Sequence, residues 1–314
     1  MRSTIPVLTA ESVVLRSAAR RAAATFGDSC ALSLLDFGYG TGRVTNDFAL
    51  EFPGDFGNSG LDLHVIAYDV SGVGLTKAMR KLTKGHGFDI DDDVTFNLFA
   101  DTGYVAGSAR RMTDATTTTV TFVHGNEHDD STTVRDLVLE ANGDEPFSLT
   151  TSWYSALSHI PTVARRAAFF DMLSEVTDSR GEIVVAPSVS GDLVDLQQYW
   201  NERRLAGDIG DLPIEIEGDV IYQTELSQEN FWHVFGTDLW ELLEQNLGPG
   251  QTGWLEAIRL PGEEFRSREE EQANYRGTQE FNRRVGRRPW TAAEYRSVHT
   301  AAAVRTGSTV LEAN

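Results

Sequence analysis

The sequence predicts an α/β fold: a doubly wound, mostly parallel seven-stranded sheet with helices on both faces and lid insertions. Two observations carry this. Short apolar runs ending on an acidic residue or glycine alternate with stretches of helical period. A glycine-rich turn, Gly38-Tyr39-Gly40-Thr41-Gly42, stands between the first such run and the helix-like stretch after it. No internal repeat or low-complexity linker interrupts the pattern, so residues 1–314 read as one domain.

The first element is an N-terminal helical segment within residues 1–30. Thr9 to Phe26 carries Val13, Val14, Ala18 and Ala22 on one face, with Thr9 as N-cap and Glu11 in the first turn. Ala31 to Leu35 is a buried strand ending at Asp36, and after the glycine turn a helix runs from Arg43 to about Leu50. Residues Phe52 to Asp62 read as loop. His64 to Tyr68 is the next strand, closing on Asp69, and Leu75, Ala78, Met79 and Leu82 mark a helix.

From His86 to Ala115 the pattern is poor, with Val94 to Phe99 as a candidate extra strand. Thr119 to Val123 is a strand ending at Gly125-Asn126. Phe147 to Thr151 is another, running into Ser152-Trp153-Tyr154-Ser155. Pro161 opens a helix over Val163 to Thr177. Arg180-Gly181 turns into the strand Glu182 to Ala186. A helix over Phe231 to Asn246, a strand over Trp254 to Leu260 and a last strand over Thr300 to Arg305 follow. Residues 188–223 and 263–296 are read as lid or oligomer insertions.

Composition narrows the function. Lys and Arg number 27 against 47 Asp and Glu, a formal net charge of −20. Binding to a phosphate backbone needs a basic surface, so this balance favours a small-molecule substrate over nucleic acid. The single cysteine, Cys30, excludes an intrachain disulfide and a cysteine-based zinc site. No run approaches the ~18–20 apolar residues of a membrane span, and none follows Met1 to Pro6 as a secretory signal requires. The expectation is a cytoplasmic protein with no membrane partner.

The chemistry is concentrated in Asp36-Phe37-Gly38-Tyr39-Gly40-Thr41-Gly42. Spaced glycines permit a tight turn and let a ligand approach backbone N–H groups at a helix start. The spacing is acid-x-G-x-G-x-G. A dinucleotide fingerprint needs a third glycine where Arg43 stands.

These residues resemble the first motif of the class I, Rossmann-like, S-adenosylmethionine-dependent methyltransferases of small-molecule type. The resemblance spans roughly Leu32 to Leu260. It implies S-adenosylmethionine as cofactor, its amino-acid end cradled by Asp36, Gly38, Tyr39, Gly40 and Gly42. It implies Asp69 on the ribose hydroxyls with Val70 beside it, and Asn126 and Glu127 near the adenine. Thr151 to Pro161 resembles the segment lining the transfer site, with Ser152 on the cofactor, Trp153 on the substrate, and Tyr154 and His159 catalytic. It lacks the Asn/Asp-Pro-Pro-aromatic signature of enzymes that methylate amide or nucleobase nitrogens. Gly218 to Tyr222 and Phe231 to Phe235 resemble the lid strand and the segment after it, which brings Tyr222 and His233 to the substrate.

Plainer assignments stay open beside these. Asp69 would serve equally as a helix N-cap, His159 as a packed helix-start histidine, and Trp153 and Tyr154 as ordinary core aromatics. His124, His128 and Asp129 lie close in sequence without a recognisable ligand pattern, so no metal is expected. The function expected from the resemblance is methyl transfer to an O, N or C atom of a small molecule, of the kind met in specialised-metabolite biosynthesis. The alternatives are a non-methyl reaction on the same scaffold, cyclisation or elimination, and a non-catalytic partner subunit. A homodimer or a complex with another protein is left open.

Overall fold

The computed structural model describes residues 6–27, 31–56, 60–90, 96–97, 100, 102–153, 156–186, 219–223, 229–233, 235, 241–242, 245–246, 253–258 and 308–313. Tyr154, most of both insertions and the strand expected at Thr300 to Arg305 lie outside the described residues. The chain divides into two compact units. Glu11–Trp153 and Asp171–Val184 form one, here the sheet unit; Met1–Ala10, Tyr154–Phe170 and Val185–Asn314 form the second.

In the sheet unit the strands are β1 (Ala31–Phe37), β2 (Asp62–Asp69), β3 (Asp89–Ile90), β4 (Tyr104–Met112), β5 (Thr117–His124), β6 (Phe147–Ser152) and β7 (Thr177–Val185). Their order is β7-β6-β1-β2-β5-β4-β3. The centre is parallel, β6 on β1, β1 on β2 and β2 on β5. The edge is antiparallel, β5 on β4 and β4 on β3. Parallel strands covered on both faces read as continuous apolar runs, which is why Leu32, Leu34, Leu35, Val65, Ile66, Val120 and Phe122 are all buried. Each such side chain stabilises the fold by about 1.5–3 kcal/mol relative to exposure.

Helices α2 (Thr45–Phe56), α3 (Gly72–His86) and α4 (Ser131–Ala141) connect these strands. The chain steps outward from β1 through β2 to β5, then returns past β1 to β6. Right-handed crossovers therefore put α2 and α3 on one face and α4 on the other. The glycine-rich turn sits where the strand order reverses.

In the sheet unit four elements differ from the sequence reading. Helix α1 (Pro6–Thr25) starts at Pro6, so Thr9 lies inside it and not at its cap; proline suits a first helical position because it has no N–H to satisfy. Helix α2 runs through Pro53 to Phe56 where loop was expected. Phe48, Phe52 and Phe56 stack along one side, with centroids 5.7 and 4.6 Å apart, and that burial outweighs the lost hydrogen bond. Strand β4 lies in the stretch that reads as patternless. Its register shifts between Val105 and Gly107, which resets the alternation a strand normally shows. Arg180-Gly181 is not a turn but part of β7.

Helix α1 is fixed to β7 by Arg21, whose Nε and Nη2 donate to the two carboxylate oxygens of Glu182 at 2.6 and 2.7 Å. Arg16 pairs with Glu51 of α2.

Helix α5 (Val163–Val176) follows a short 3₁₀ turn, Ala156–His159. The second unit also contains the antiparallel pair β8 (Asp219–Gln223) and β9 (Glu229–His233), and the antiparallel pair β10 (Gly253–Ile258) and β11 (Ser308–Ala313). Phe231 to His233 is thus strand, where a helix from Phe231 was expected. Pairing with β8 supplies the backbone partners that helix would have supplied locally. No helix among the described residues is long and apolar enough to cross a membrane.

Candidate functional site

Ligands of open α/β sheets sit beyond the carboxyl ends of the strands at the point where strand order reverses, here between β1 and β6. The turn after β1 occupies that position. Gly38, Gly40 and Gly42 have φ of 82°, 55° and 62°. Each is in the left-handed region that side chains with a Cβ resist, so the spacing of the motif is a requirement of the backbone path.

The turn is anchored on both sides. Gly38 and Tyr39 both donate their N–H to the carbonyl of Tyr68 at 2.9 Å. Gly42 N–H closes onto the Tyr39 carbonyl, and Asn46 N–H onto that of Gly42. Lys81 Nζ reaches from α3 to the Thr41 carbonyl at 2.9 Å. The carbonyl of Gly40 lies against Gly74, where a Cβ would come within 3.0 Å of it. Helix α3 therefore abuts the turn only because residue 74 has no side chain.

Two carboxylates frame the turn. Asp36, 2% exposed, accepts hydroxyl hydrogen bonds from Thr45 at the start of α2 and from Thr151 of β6. It ties β1, α2 and β6 together beneath the turn. Asp69, at the end of β2, accepts Gly40 N–H at 2.7 Å on one oxygen and Ser71 N–H at 2.6 Å on the other. Burial raises its pKa above the ordinary carboxylate value, opposed by the Ser71 and Gly40 N–H bonds and by the nearby His124. The cap of α3 is Ser71, whose hydroxyl accepts Gly74 N–H, so Asp69 is not the helix cap.

Among the described residues, a Cβ built on Gly40 meets nothing within 4 Å except Asp69 Oδ2, at 4.0 Å, so none of them fills the space directly beside that carboxylate. Val70 and Val73, 49% and 55% exposed, give that neighbourhood an apolar surface.

Within the turn, Tyr39 points inward. Its side chain is buried, edge-on to Phe122 at 6.3 Å, and its hydroxyl donates to Asn46 Oδ1, while Asn46 Nδ2 donates to the Ala78 carbonyl. Burial and the neighbouring Asp36 push the phenol well above its ordinary pKa, so it stays a donor. Tyr39 locks the turn to α2 and α3 and offers no side chain to a ligand.

Asn126 and Glu127 follow Gly125 after β5. Asn126 spends both side-chain atoms within the loop: Oδ1 accepts His128 N–H and Nδ2 donates to the Ala100 carbonyl. Glu127 is exposed beside His128. Ser152 and Trp153 at the end of β6 are buried, 2% and 4% exposed, and neither the Ser152 hydroxyl nor the Trp153 indole N–H has a hydrogen-bond partner among the described residues.

In the second unit, His159 Nδ1 lies 3.2 Å from the Phe231 carbonyl. A carbonyl only accepts, so Nδ1 carries the proton and Nε2 holds the lone pair. The residue is exposed, yet desolvation of the ring by its surroundings lowers its pKa, opposed by the bond to Phe231. Arg166 braces the same place, its guanidinium 5.5 Å over the Phe231 ring and Nη1 on the Ile160 carbonyl. His233 is buried, edge-on to Phe235 at 4.5 Å. Tyr222 stands opposite Asn230 in the β8–β9 pair.

Sequence reasoning missed Thr45, Asn46, Gly74 and Lys81 around the turn. Thr45 and Asn46 sit in the first turn of the helix after the motif, a position worth reading whenever the motif begins with a buried acid. Among the described residues no group of three or more His, Cys, Asp or Glu side chains is arranged to hold a metal ion.

No protein-family model matches the chain, and no curated protein matches it in sequence. Solved structures with a similar chain course include an S-adenosylmethionine-dependent methyltransferase of Methanosarcina mazei, 13% identical over 91% of this chain and 92% of that one, TM-score 0.44. The CcbJ methyltransferase of Streptomyces caelestis is 13% identical over 98% and 95%, TM-score 0.44. CalS10 of Micromonospora echinaspora, an amino pentose methyltransferase of calicheamicin biosynthesis solved with S-adenosylmethionine bound, is 17% identical over 79% and 86%, TM-score 0.40. Likenesses at this level concern the course of the chain alone.

Proposed function

We propose that the chain is an S-adenosylmethionine-dependent methyltransferase acting on an O, N or C atom of a small molecule, in specialised-metabolite biosynthesis in the cytoplasm. The observation that carries this reading is the turn after β1: three glycines at positive φ, with the space over Gly40 opening onto Asp69. A cofactor with ribose hydroxyls and an amino-acid end fits that donor set. Asp69 keeps a further lone pair on each oxygen after accepting Gly40 and Ser71, so it serves hydroxyl donors without losing its own support. Val70 supplies apolar surface for a flat ring, and the unpartnered Ser152 hydroxyl at the end of β6 is a further polar contact.

When bound, the cofactor supplies an already activated methyl group on a sulfonium, which leaves the protein to position and desolvate. The turn fixes the cofactor's place through Gly40 and Asp69. His159, its Nδ1 proton held by Phe231, offers Nε2 as a base for acceptors that must lose a proton. Trp153, Tyr222 and His233 remain our assignments for the substrate side, and Tyr154 for catalysis. The net charge of −20 favours a small and cationic or neutral partner over a polyanion.

Calorimetric titration with S-adenosylmethionine and S-adenosylhomocysteine tests the reading. Micromolar binding of both, lost in Asp69→Ala, supports it. Binding of neither by folded protein overturns it.

A further inference from the structure

His124 ends β5, one strand beyond Asp69, and is 7% exposed. In register it stands between Asp69 of β2 and Tyr104 of β4. Both ring nitrogens are used. Nε2 lies 3.2 Å from the Val70 carbonyl, which only accepts, so Nε2 carries the proton. Nδ1 lies 3.3 Å from the Tyr104 hydroxyl. That oxygen also accepts Asn97 N–H. The ring is held edge-on by Tyr104 at 5.5 Å and by Phe96 at 6.2 Å.

The bond to Val70 acts where Asp69 is built. Gly125 N–H donates to the Asp69 carbonyl at 3.0 Å, and His124 then takes the next carbonyl along the chain. Two successive carbonyls after β2 are therefore gripped from the end of β5, beyond the last rung of the ladder. The carboxylate between them receives Gly40 and Ser71. Gly125 has to be glycine for this approach, because a Cβ there would come within 2.2 Å of the Tyr68 hydroxyl oxygen.

We infer that His124 is a positioning residue, its Nε2–H on the Val70 carbonyl and its Nδ1 against the Tyr104 hydroxyl, that holds the Asp69-Val70 backbone and through it the Asp69 bridge to Gly40. Only the functional meaning of the inference rests on the proposed reading of Asp69 as ligand-facing; the hydrogen-bond relay does not.

The test is amide hydrogen exchange of the whole, ligand-free chain at pH 8. His124→Phe keeps a ring and removes the donor, whereas His124→Gln keeps an N–H at the Nε2 position. We expect the Gly40 and Ser71 amides to exchange about tenfold faster in His124→Phe than in wild type, and within twofold of wild type in His124→Gln. Amides of Leu34 and Val120 serve as unchanged references. Should His124→Phe fail to fold, Tyr104→Phe takes its place, with two- to fivefold faster exchange expected as the ring loses its hydroxyl partner at Nδ1. Equal exchange at Gly40 and Ser71 in the folded variants, or an Nδ1–H tautomer in ¹⁵N spectra of wild type, overturns the inference. Both readouts need no cofactor, so failure of the methyltransferase reading leaves them intact.

Discussion

Gly42→Ala should unfold the turn rather than merely weaken a ligand, and its cost follows from three contacts. A Cβ at residue 42 would lie 2.3, 2.6 and 2.8 Å from the amide atoms of Asn46, so that side chain has to leave. With it go the acceptor of the buried Tyr39 hydroxyl and the bond to the Ala78 carbonyl. A buried hydroxyl left without an acceptor costs about 1–3 kcal/mol and a lost hydrogen bond about 1. Holding alanine at φ 62° adds about 1–2 kcal/mol. The sum, about 3–6 kcal/mol, is a large part of a stability of order 5–15. At about 2–4 °C per kcal/mol, Tm should fall by roughly 6–24 °C in a calorimetric scan. Gly40→Ala is the matched control. It bears the same backbone strain, about 1–2 kcal/mol, but meets only Asp69 Oδ2 at 4.0 Å. Its Tm should drop by a few degrees, while its affinity for S-adenosylhomocysteine falls at least ~10-fold because the Cβ fills the open space. A Gly42→Ala protein melting with wild type would mean that Asn46 does not pack as described. Unchanged ligand affinity in Gly40→Ala would mean that the space beside Asp69 is not the ligand's.

Three further outcomes follow from groups already described. Asp69→Ala should lose about 1.5–3 kcal/mol of S-adenosylhomocysteine affinity by titration calorimetry; because burial raises the Asp69 pKa above 3.8, wild-type affinity should also decline on acidification at a higher pH than an ordinary carboxylate dictates. The sign for stability is opposite: a raised carboxyl pKa favours the folded state at low pH, and that contribution disappears as pH rises through the folded value. His159→Asn should lower turnover by about 10²–10⁴-fold with cofactor affinity unchanged. Since packing lowers the His159 pKa below 6.5, the acid limb of the wild-type rate profile should fall below that pH; the neutral ring stabilises the fold above pH 6.5, and this is lost as pH falls through the folded value. Full turnover and a flat profile in His159→Asn would remove it from catalysis. Arg21→Ala leaves the buried Glu182 carboxylate unpaired and should cost about 2–4 kcal/mol in a denaturant titration, the lower part of the range for buried pairs because the guanidinium is one-third in water; no change in midpoint would make the pair incidental.

The central strands were legible because parallel strands covered on both faces must be apolar throughout. Leu32 to Leu35 and Val65 to Tyr68 admit no other placement in a chain that also carries the glycine turn. Strand β4 was not, since an edge-side strand with a bulge at Val105/Gly107 needs no alternation and carries Arg110 and Arg111. Asp69 could be picked out by its place after β2, whereas the direction of Tyr39 could not: within a tight turn, spacing says nothing about which side chain folds inward. The same limit applies to His124, whose importance depends on a register with β2 and β4 that no local pattern encodes. Phe231 to His233 read as helix because three apolar or aromatic residues carry no period of their own; β8 decides the matter.

Asp36 and Thr151, which meet beneath the turn, stand 115 residues apart in the chain. Everything between them, from β2 through α4, has to be made and ordered before β6 can slot beside β1. Loop closure over such a span is slow, and pairings of this kind dominate the folding time of parallel sheets. During synthesis at about 5–20 residues per second, the nascent chain therefore carries the glycine turn for several seconds or more with no floor under it. Thr45 can reach Asp36 early, but the bond from Thr151 closes the floor of the turn only when β6 docks.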